Sequence, residues 1–176
     1  MSETENINKI NSMKEISVDK VIINIGVGKS GEPIERAKIA LEELTGQKPS
    51  IRGAKKSVRD FGIHKNEPIG SMVTLRRQSA IDFLKRVFEA KSNKLKLSSF
   101  DNFGNTSIGI REHIDIPGTK YNPDVGIVGM DVCIALKRPG YRISKRSDKR
   151  KIGREHRITK EEAIKFYQDQ FGVEVE

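Results

Sequence analysis

Apolar residues recur along this chain with two different periods, and the switches between them mark out its elements. Val18 to Ile25 (VDKVIINI) is rich in β-branched residues and mostly apolar, which predicts a buried strand. The spacing then becomes helical: Ile34, Ala37, Leu41 and Leu44 share one face, Pro33 suits a first turn, Ser30 is placed to cap nearby, and Gly46 is placed to end the helix. A strand is predicted at about 69–76 (IGSMVTLR), then a helix over Ala80–Ala90 with Ala80, Leu84, Val87 and Phe88 inward. Between Thr106 and Ile116 the chain alternates. Ile108, Ile110, Ile114 and Ile116 fall on one face, and Ser107, Arg111, His113 and Asp115 on the other. Residues 128–136 alternate again through Val128, Met130, Val132, Ile134 and Leu136. A capping box from Thr159 to Glu162 opens a last helix that buries Ala163, Phe166, Tyr167 and Phe171. Clean alternation means a sheet with one packed and one polar face. The fold class is α+β, a mainly antiparallel sheet with helices packed on one face. Residues 1–12 read as a polar, flexible arm and 13–176 as a single domain without internal repeats.

Charge changes the picture, because it is not spread evenly. Lys137 to Arg157 holds ten Lys/Arg against Asp148 and Glu155, a net of +8, and Lys48 to Lys65 holds six against Asp60, a net of +5. The whole chain carries +9, so the remainder is acidic at −4. Cations gathered on two Gly-, Ser- and Pro-bearing segments suit a polyanion, since each neutralised phosphate releases condensed counterions. The expectation is therefore a nucleic-acid partner, met by the polar sheet face and the basic loops at 48–65 and 137–157. Aromatic residues make up 6% of the chain and Trp is absent, which argues against a base-stacking platform. A single cysteine, Cys133, excludes an internal disulfide, and no Cys/His cluster has zinc spacing, so neither metal nor cofactor is expected. The polar, acidic amino terminus is unlike a signal peptide and no long apolar span follows, which points to the cytoplasm and away from membranes.

One motif offers a rival reading. Gly26–Gly31 (GVGKSG) is a literal G-x-G-x-x-G between a strand and a helix, the fingerprint of a dinucleotide-binding enzyme. Three facts oppose it. No acidic residue waits about 20 positions on to hold a ribose, the later strands alternate instead of running as buried parallel strands, and the chain has no room for a second nucleotide-binding half. A P-loop would need glycine where Ile23 stands. The plainer reading is a tight strand-to-helix turn. His64, His113 and His156 lie far apart; His113 reads as a polar strand residue facing away from the core, and Cys133, opposite Val132 and Ile134, as structural. No catalytic set emerges.

Taken in order, Met13–Ile16 (MKEI), Val21–Gly28 (VIINIGVG), Leu44–Pro49 (LTGQKP), Ala54–Arg59 (AKKSVR), Phe61–Ile63 (FGI), Val73–Arg76 (VTLR), Phe103–Asn105 (FGN), Gly109–Ile114 (GIREHI) and Pro123–Asp131 (PDVGIVGMD) resemble ribosomal proteins of the universal L-five family. The tail, Arg138–Ser144 (RPGYRIS) with Gly153–Ala163 (GREHRITKEEA), is similar to the archaeal and eukaryotic branch. The resemblance implies a structural, non-enzymatic role: attachment of 5S rRNA in the central protuberance of the large subunit, contacts with large-subunit rRNA and neighbouring proteins, a bridge to a small-subunit head protein, and reach toward peptidyl-site tRNA. It implies rRNA contacts at Asn24, Gln47 and Thr74, whose amide and hydroxyl groups can bond 2′-hydroxyls, phosphates and base edges, with Arg76 beside Thr74. Arg138, Arg142, Lys145 and Arg146 are expected rRNA phosphate neighbours, together with Lys149 and Arg150. Arg52, Lys55, Lys56 and Arg59 are expected to meet tRNA from an irregular loop in which Gly53 and Ala54 let RNA approach the backbone.

Overall fold

The computed structural model describes residues 11–176. The proposed arm therefore lies outside the described residues except for its last two: Asn11, whose side chain accepts the Met13 N–H, and Ser12, which opens a 3-10 turn, Ser12–Lys14. In chain order the elements are β1 (Ser17–Gly26), α1 (Glu32–Thr45), β2 (Ser50–Gly53), β3 (Pro68–Leu75), α2 (Arg77–Ala90), β4 (Lys94–Leu95), β5 (Thr106–Ile110), β6 (Met130–Lys137), α3 (Lys160–Phe171) and β7 (Glu174–Val175). Five strands form one sheet in the order β2-β3-β1-β6-β5, every neighbouring pair antiparallel. β4 and β7 make a separate two-stranded parallel pair.

Register explains the division of faces. Val73, Ile23, Val132 and Ile108 stand opposite one another across four strands, and all are buried. Against this inner row pack Ala37, Leu41 and Leu44 of α1, Phe83, Leu84 and Val87 of α2, and Ala163 and Tyr167 of α3. Each fully buried aliphatic or aromatic side chain contributes about 1.5–3 kcal/mol relative to exposure. The α+β reading, with helices against one face of a mainly antiparallel sheet, is what the structure shows.

Local chemistry sets the helix boundaries. α1 starts from Gly31 and ends at Gly46, a left-handed residue whose N–H returns to the Glu42 carbonyl. Ser30 is not its cap; its hydroxyl donates to Glu67 instead. α2 starts at Arg77, three residues earlier than the apolar spacing suggests. The capping box of α3 forms as read, with Thr159 and Glu162 bonding each other's backbone N–H. Phe166 and Phe171 are half-buried, and Tyr167 carries the central burial of that helix.

The alternation after Ile110 does not hold. β5 stops there, and a 3-10 turn over His113–Asp115 reverses the phase, so His113 is buried and Ile114 half-exposed. The imidazole Nδ1 accepts the Val128 N–H at 3.3 Å, which ties the 113–115 turn to the run before β6. The segment 48–65 is not an irregular loop either. It contributes β2 to the sheet edge and then a tight hairpin in which Val58 and Ile63 bridge.

Candidate nucleic-acid interface

The outer sheet face carries two of the expected RNA contacts in adjacent rows. Asn24 sits between buried Ile23 and Ile25, and Thr74 between buried Val73 and Leu75, so the two-residue period turns both outward. Asn24 stands opposite Met72 on one side and Asp131 on the other. Thr74 stands opposite Ile22, which faces Cys133, which in turn faces Ser107. Asp131, Cys133, Ser107 and Gly109 are exposed, whereas the inner rows are sealed. Gln47 lies three residues before the edge strand β2. It is exposed just after the helix-ending Gly46, its N–H is held by the Thr45 hydroxyl at 3.3 Å, and the strand it leads into pairs Ser50 with Met72 on the Asn24 row.

One carboxylate organises the cations at the far end of this face. A register shift between Val18 and Lys20 puts Asp19 at a bulge. Its carboxylate, largely buried, lies 2.7 Å from Lys145 Nζ, 3.5 Å from Lys137 Nζ and 3.9 Å from Arg76 Nη1. Burial opposes ionisation of Asp19, but the Lys145 hydrogen bond and the fields of Lys145, Lys137 and Arg76 outweigh it and hold the carboxyl below its ordinary range. Three cations around one anion leave a net positive cluster in which Arg76 and Lys145, from distant parts of the chain, are brought together. Sequence reasoning passed over Asp19 and Lys137. Only the fold joins β1, the end of β3, the end of β6 and the basic segment at one point.

Cys133 is on the same face, and its thiol is pushed up, first by partial burial and then by the neighbouring Asp131. It is a poor nucleophile at neutral pH.

The basic segment is more ordered than its composition suggests, and Arg138 departs from expectation. Its side chain is 4% exposed. Nε donates to the Lys14 carbonyl at 3.0 Å, Nη1 to the Arg157 carbonyl at 3.2 Å, and Nη2 to Glu162 at 2.7 Å. A guanidinium engaged on all sides and enclosed by protein cannot meet phosphate; Arg138 is an internal clamp joining the chain before β1 to the head of α3. Tyr141 assists it by donating to the His156 carbonyl and accepting the Ile158 N–H. Arg142, Arg146, Lys149 and Arg150 remain exposed.

β2 holds Arg52 and the hairpin beyond it holds Lys55, Lys56 and Arg59, all exposed. The small residues at its root serve the protein itself. Ala54 is buried and exchanges backbone bonds with Asn66 and Glu67, and a Cβ on Gly53 would sit 3.0 Å from the Asn66 carbonyl oxygen. Glu67 braces the root, accepting from the His64 N–H at 2.8 Å and the Ser30 hydroxyl at 2.9 Å, and these bonds lower its pKa. Phe61, at the tip before left-handed Gly62, is 76% exposed.

The glycine-rich turn has no free cradle. Val27 and Gly28 both donate to the Ile69 carbonyl, and the first turn of α1 carries Glu32 and Glu35, which repel phosphate at that helix end. Among the described residues there is no cluster of metal-ligating side chains and no helix long and apolar enough to cross a membrane.

A basic protein with one sheet face sealed by helices, the other open and polar, and exposed cations along its margins belongs to the class that docks on folded RNA. Residues 11–64 match the family Ribosomal protein L5, and residues 68–166 match the C-terminus of that same ribosomal family. The chain is 54% identical to large ribosomal subunit protein uL5 of Sulfolobus acidocaldarius over 95% of this chain and 94% of that one. Identity is also 54% to the same protein of Pyrobaculum aerophilum (93% and 92% covered) and of Cenarchaeum symbiosum (93% and 97%). The chain belongs to the ribosomal protein L5 family, as the motifs from Met13 to Ala163 suggested. It is a structural constituent of the large ribosomal subunit, not an enzyme, and works on the ribosome in the cytoplasm with ribosomal RNA as its partner.

Proposed function

We propose that the open sheet face binds 5S rRNA and so helps attach it in the central protuberance. Asn24 and Thr74 contribute from the face, Gln47 from its β2 edge, and Arg76 and Lys145 from the Asp19 cluster. The observation that carries this reading is the pair of adjacent outward rows holding Asn24 and Thr74, half-exposed on a face that none of the described helices covers. Amide and hydroxyl groups there meet 2′-hydroxyls and unpaired base edges, while cations beside them hold phosphates in register. Arg142 and Arg146 extend the contact to rRNA from the basic segment. β2 and the hairpin beyond it supply Arg52, Lys55, Lys56 and Arg59 to peptidyl-site tRNA. The bridge to a small-subunit head protein and contacts with other central-protuberance proteins complete the assignment, supported by the family.

The test is binding to purified 5S rRNA and to a scrambled RNA of equal length over a salt series. Specific binding gives a higher affinity for 5S rRNA at every salt, with a log–log slope of about −0.7 to −0.9 per phosphate contacted. Equal affinity for both RNAs overturns the assignment.

A further inference from the structure

A groove of about 570 Å³ runs beside the open face, between the Phe103 turn and the basic segment. Its volume falls within the usual range for small-ligand sites. One wall is apolar, formed by Leu136, Ile152 and Ile158, and Lys20, Lys137, Lys145 and Lys151 stand around it. Asp19 is the carboxylate that lines it, already covered by Lys137 and Lys145.

Phe103 borders this groove with 58% of its surface exposed. Such exposure in a ring that reaches no core needs an account, and the turn beneath it is unusually well fixed. Asp101 Oδ1 accepts the N–H groups of both Phe103 and Asn105, and Oδ2 accepts the Asn105 side-chain amide. Gly104, at φ +78°, sits so close to α3 that a Cβ there would lie 2.8 Å from Ile158 Cγ2 and 3.0 Å from Ala163 Cβ. The ring is therefore held at the edge of a cationic groove by a pre-formed support, which lowers the ordering cost of binding.

We infer that this groove receives an unpaired nucleotide of the bound ribosomal RNA, its base stacked on Phe103 and its flanking phosphates held by Lys137, Lys145 and Lys151. An aromatic ring beside an apolar wall suits the face of a base, and the surrounding ammonium groups suit the backbone on either side of it. The inference rests on the 5S rRNA reading above, because the groove shares Lys20, Ala135 and Lys137 with the outer face of β1 and β6.

The chain contains no tryptophan, so Phe103→Trp places a single indole at the site, which can be excited apart from the three tyrosines. Titration of the full-length variant with 5S rRNA should quench its emission in step with binding, because the indole stacks on a base. Phe103→Leu, which keeps an apolar side chain but no ring, should weaken 5S rRNA binding about tenfold or more, and Phe103→Tyr should restore it. Melting temperatures of the three variants should match the parent, because the ring is exposed. Unquenched emission in a complex that still forms, or full affinity in Phe103→Leu, overturns the inference and leaves the 5S rRNA reading standing. Absence of 5S rRNA binding by the parent chain overturns both.

Discussion

Replacing Arg138 by methionine separates an internal clamp from a phosphate contact. The guanidinium donates to the Lys14 and Arg157 carbonyls, to Glu162 and, at 3.5 Å, to the His156 carbonyl that Tyr141 also serves, and the side chain is 4% exposed. Methionine fills much of the same volume but leaves the Lys14 and Arg157 carbonyls without their charged donor. Breaking a fully buried ion pair costs about 3–5 kcal/mol. Glu162, however, is 42% exposed and recovers water, which lowers its share. The two stranded carbonyls then dominate, and the expected loss is roughly 3 kcal/mol. For a domain of this size that corresponds to a fall in Tm of about 6–12 °C. The same geometry fixes the pH dependence. Partial burial raises the Glu162 pKa, but the Thr159 backbone bond and the Arg138 guanidinium together outweigh it and hold the carboxyl below its ordinary 4.5. A carboxyl depressed in the folded state adds stability that is present above pH 4.5 and disappears as pH falls through the folded value. The Arg138→Met variant should therefore lose less stability than the parent between pH 5 and pH 3, and Arg138→Met with Glu162→Gln should be less than additive. Denaturant melts across this pH range measure all three quantities, with 5S rRNA affinity measured alongside. An unchanged Tm with weaker RNA binding and a salt slope reduced by about one phosphate would show that Arg138 meets RNA and that the clamp assignment is wrong.

Gly104→Ala is expected to cost about 2–4 kcal/mol, because the new Cβ meets Ile158 at 2.8 Å in a left-handed conformation; a melt within 1 °C of the parent would refute this. Asn24→Ala, Gln47→Ala and Thr74→Ala should each weaken 5S rRNA binding by about 1–3 kcal/mol with little change in Tm; earlier melting with normal binding would assign them to the fold instead. Alanine at Arg52, Lys55, Lys56 and Arg59 together should speed tRNA dissociation from reconstituted ribosomes and spare the free protein's 5S rRNA affinity, and the reverse pattern would move the hairpin into the 5S rRNA site. Alkylation of Cys133 by a maleimide at pH 8.5 should slow when 5S rRNA is bound, since the thiol stands on the open face; equal rates would place the RNA elsewhere.

The parts of the fold legible in the sequence were those where burial is one-sided. β1, β3, β6 and the three helices each have a sealed face, so their apolar positions recur at the period of the element. β2 left no such trace: all four of its residues are exposed at the sheet edge, within a run of cations. His113 was misread because an unbroken alternation conceals the 3-10 turn that reverses it. Arg138 was misread for a different reason. Its partners, Lys14, Arg157 and Glu162, lie in other segments, and a cation within a basic run carries no local sign of burial. Asn24, Gln47 and Thr74 came from the family resemblance, and the structure adds the rows and the edge that relate them. The sequence offered Arg76, Lys145 and the Phe103–Asn105 motif singly, but not Asp19 as the carboxylate that joins the cations nor the groove beside Phe103, since both arise where separate strands and loops converge.

The strand order also bears on how the chain is made. β1 is made before the other four strands of its sheet, yet it lies at the centre, between β3 and β6. By the time Leu75 has emerged, β1 has a partner along one edge only, and the other waits for Met130–Lys137. At ordinary elongation rates of 5–20 residues per second that interval lasts about 3–12 s. Throughout it, a half-built sheet presents an apolar strand with unpaired backbone groups to everything near the tunnel exit. Closure comes with β6, and the Arg138 clamp follows once Glu162 arrives, so the last quarter of the chain locks a sheet begun by the first. A nascent chain halted before residue 130 is thus the species most prone to pair with the wrong strand.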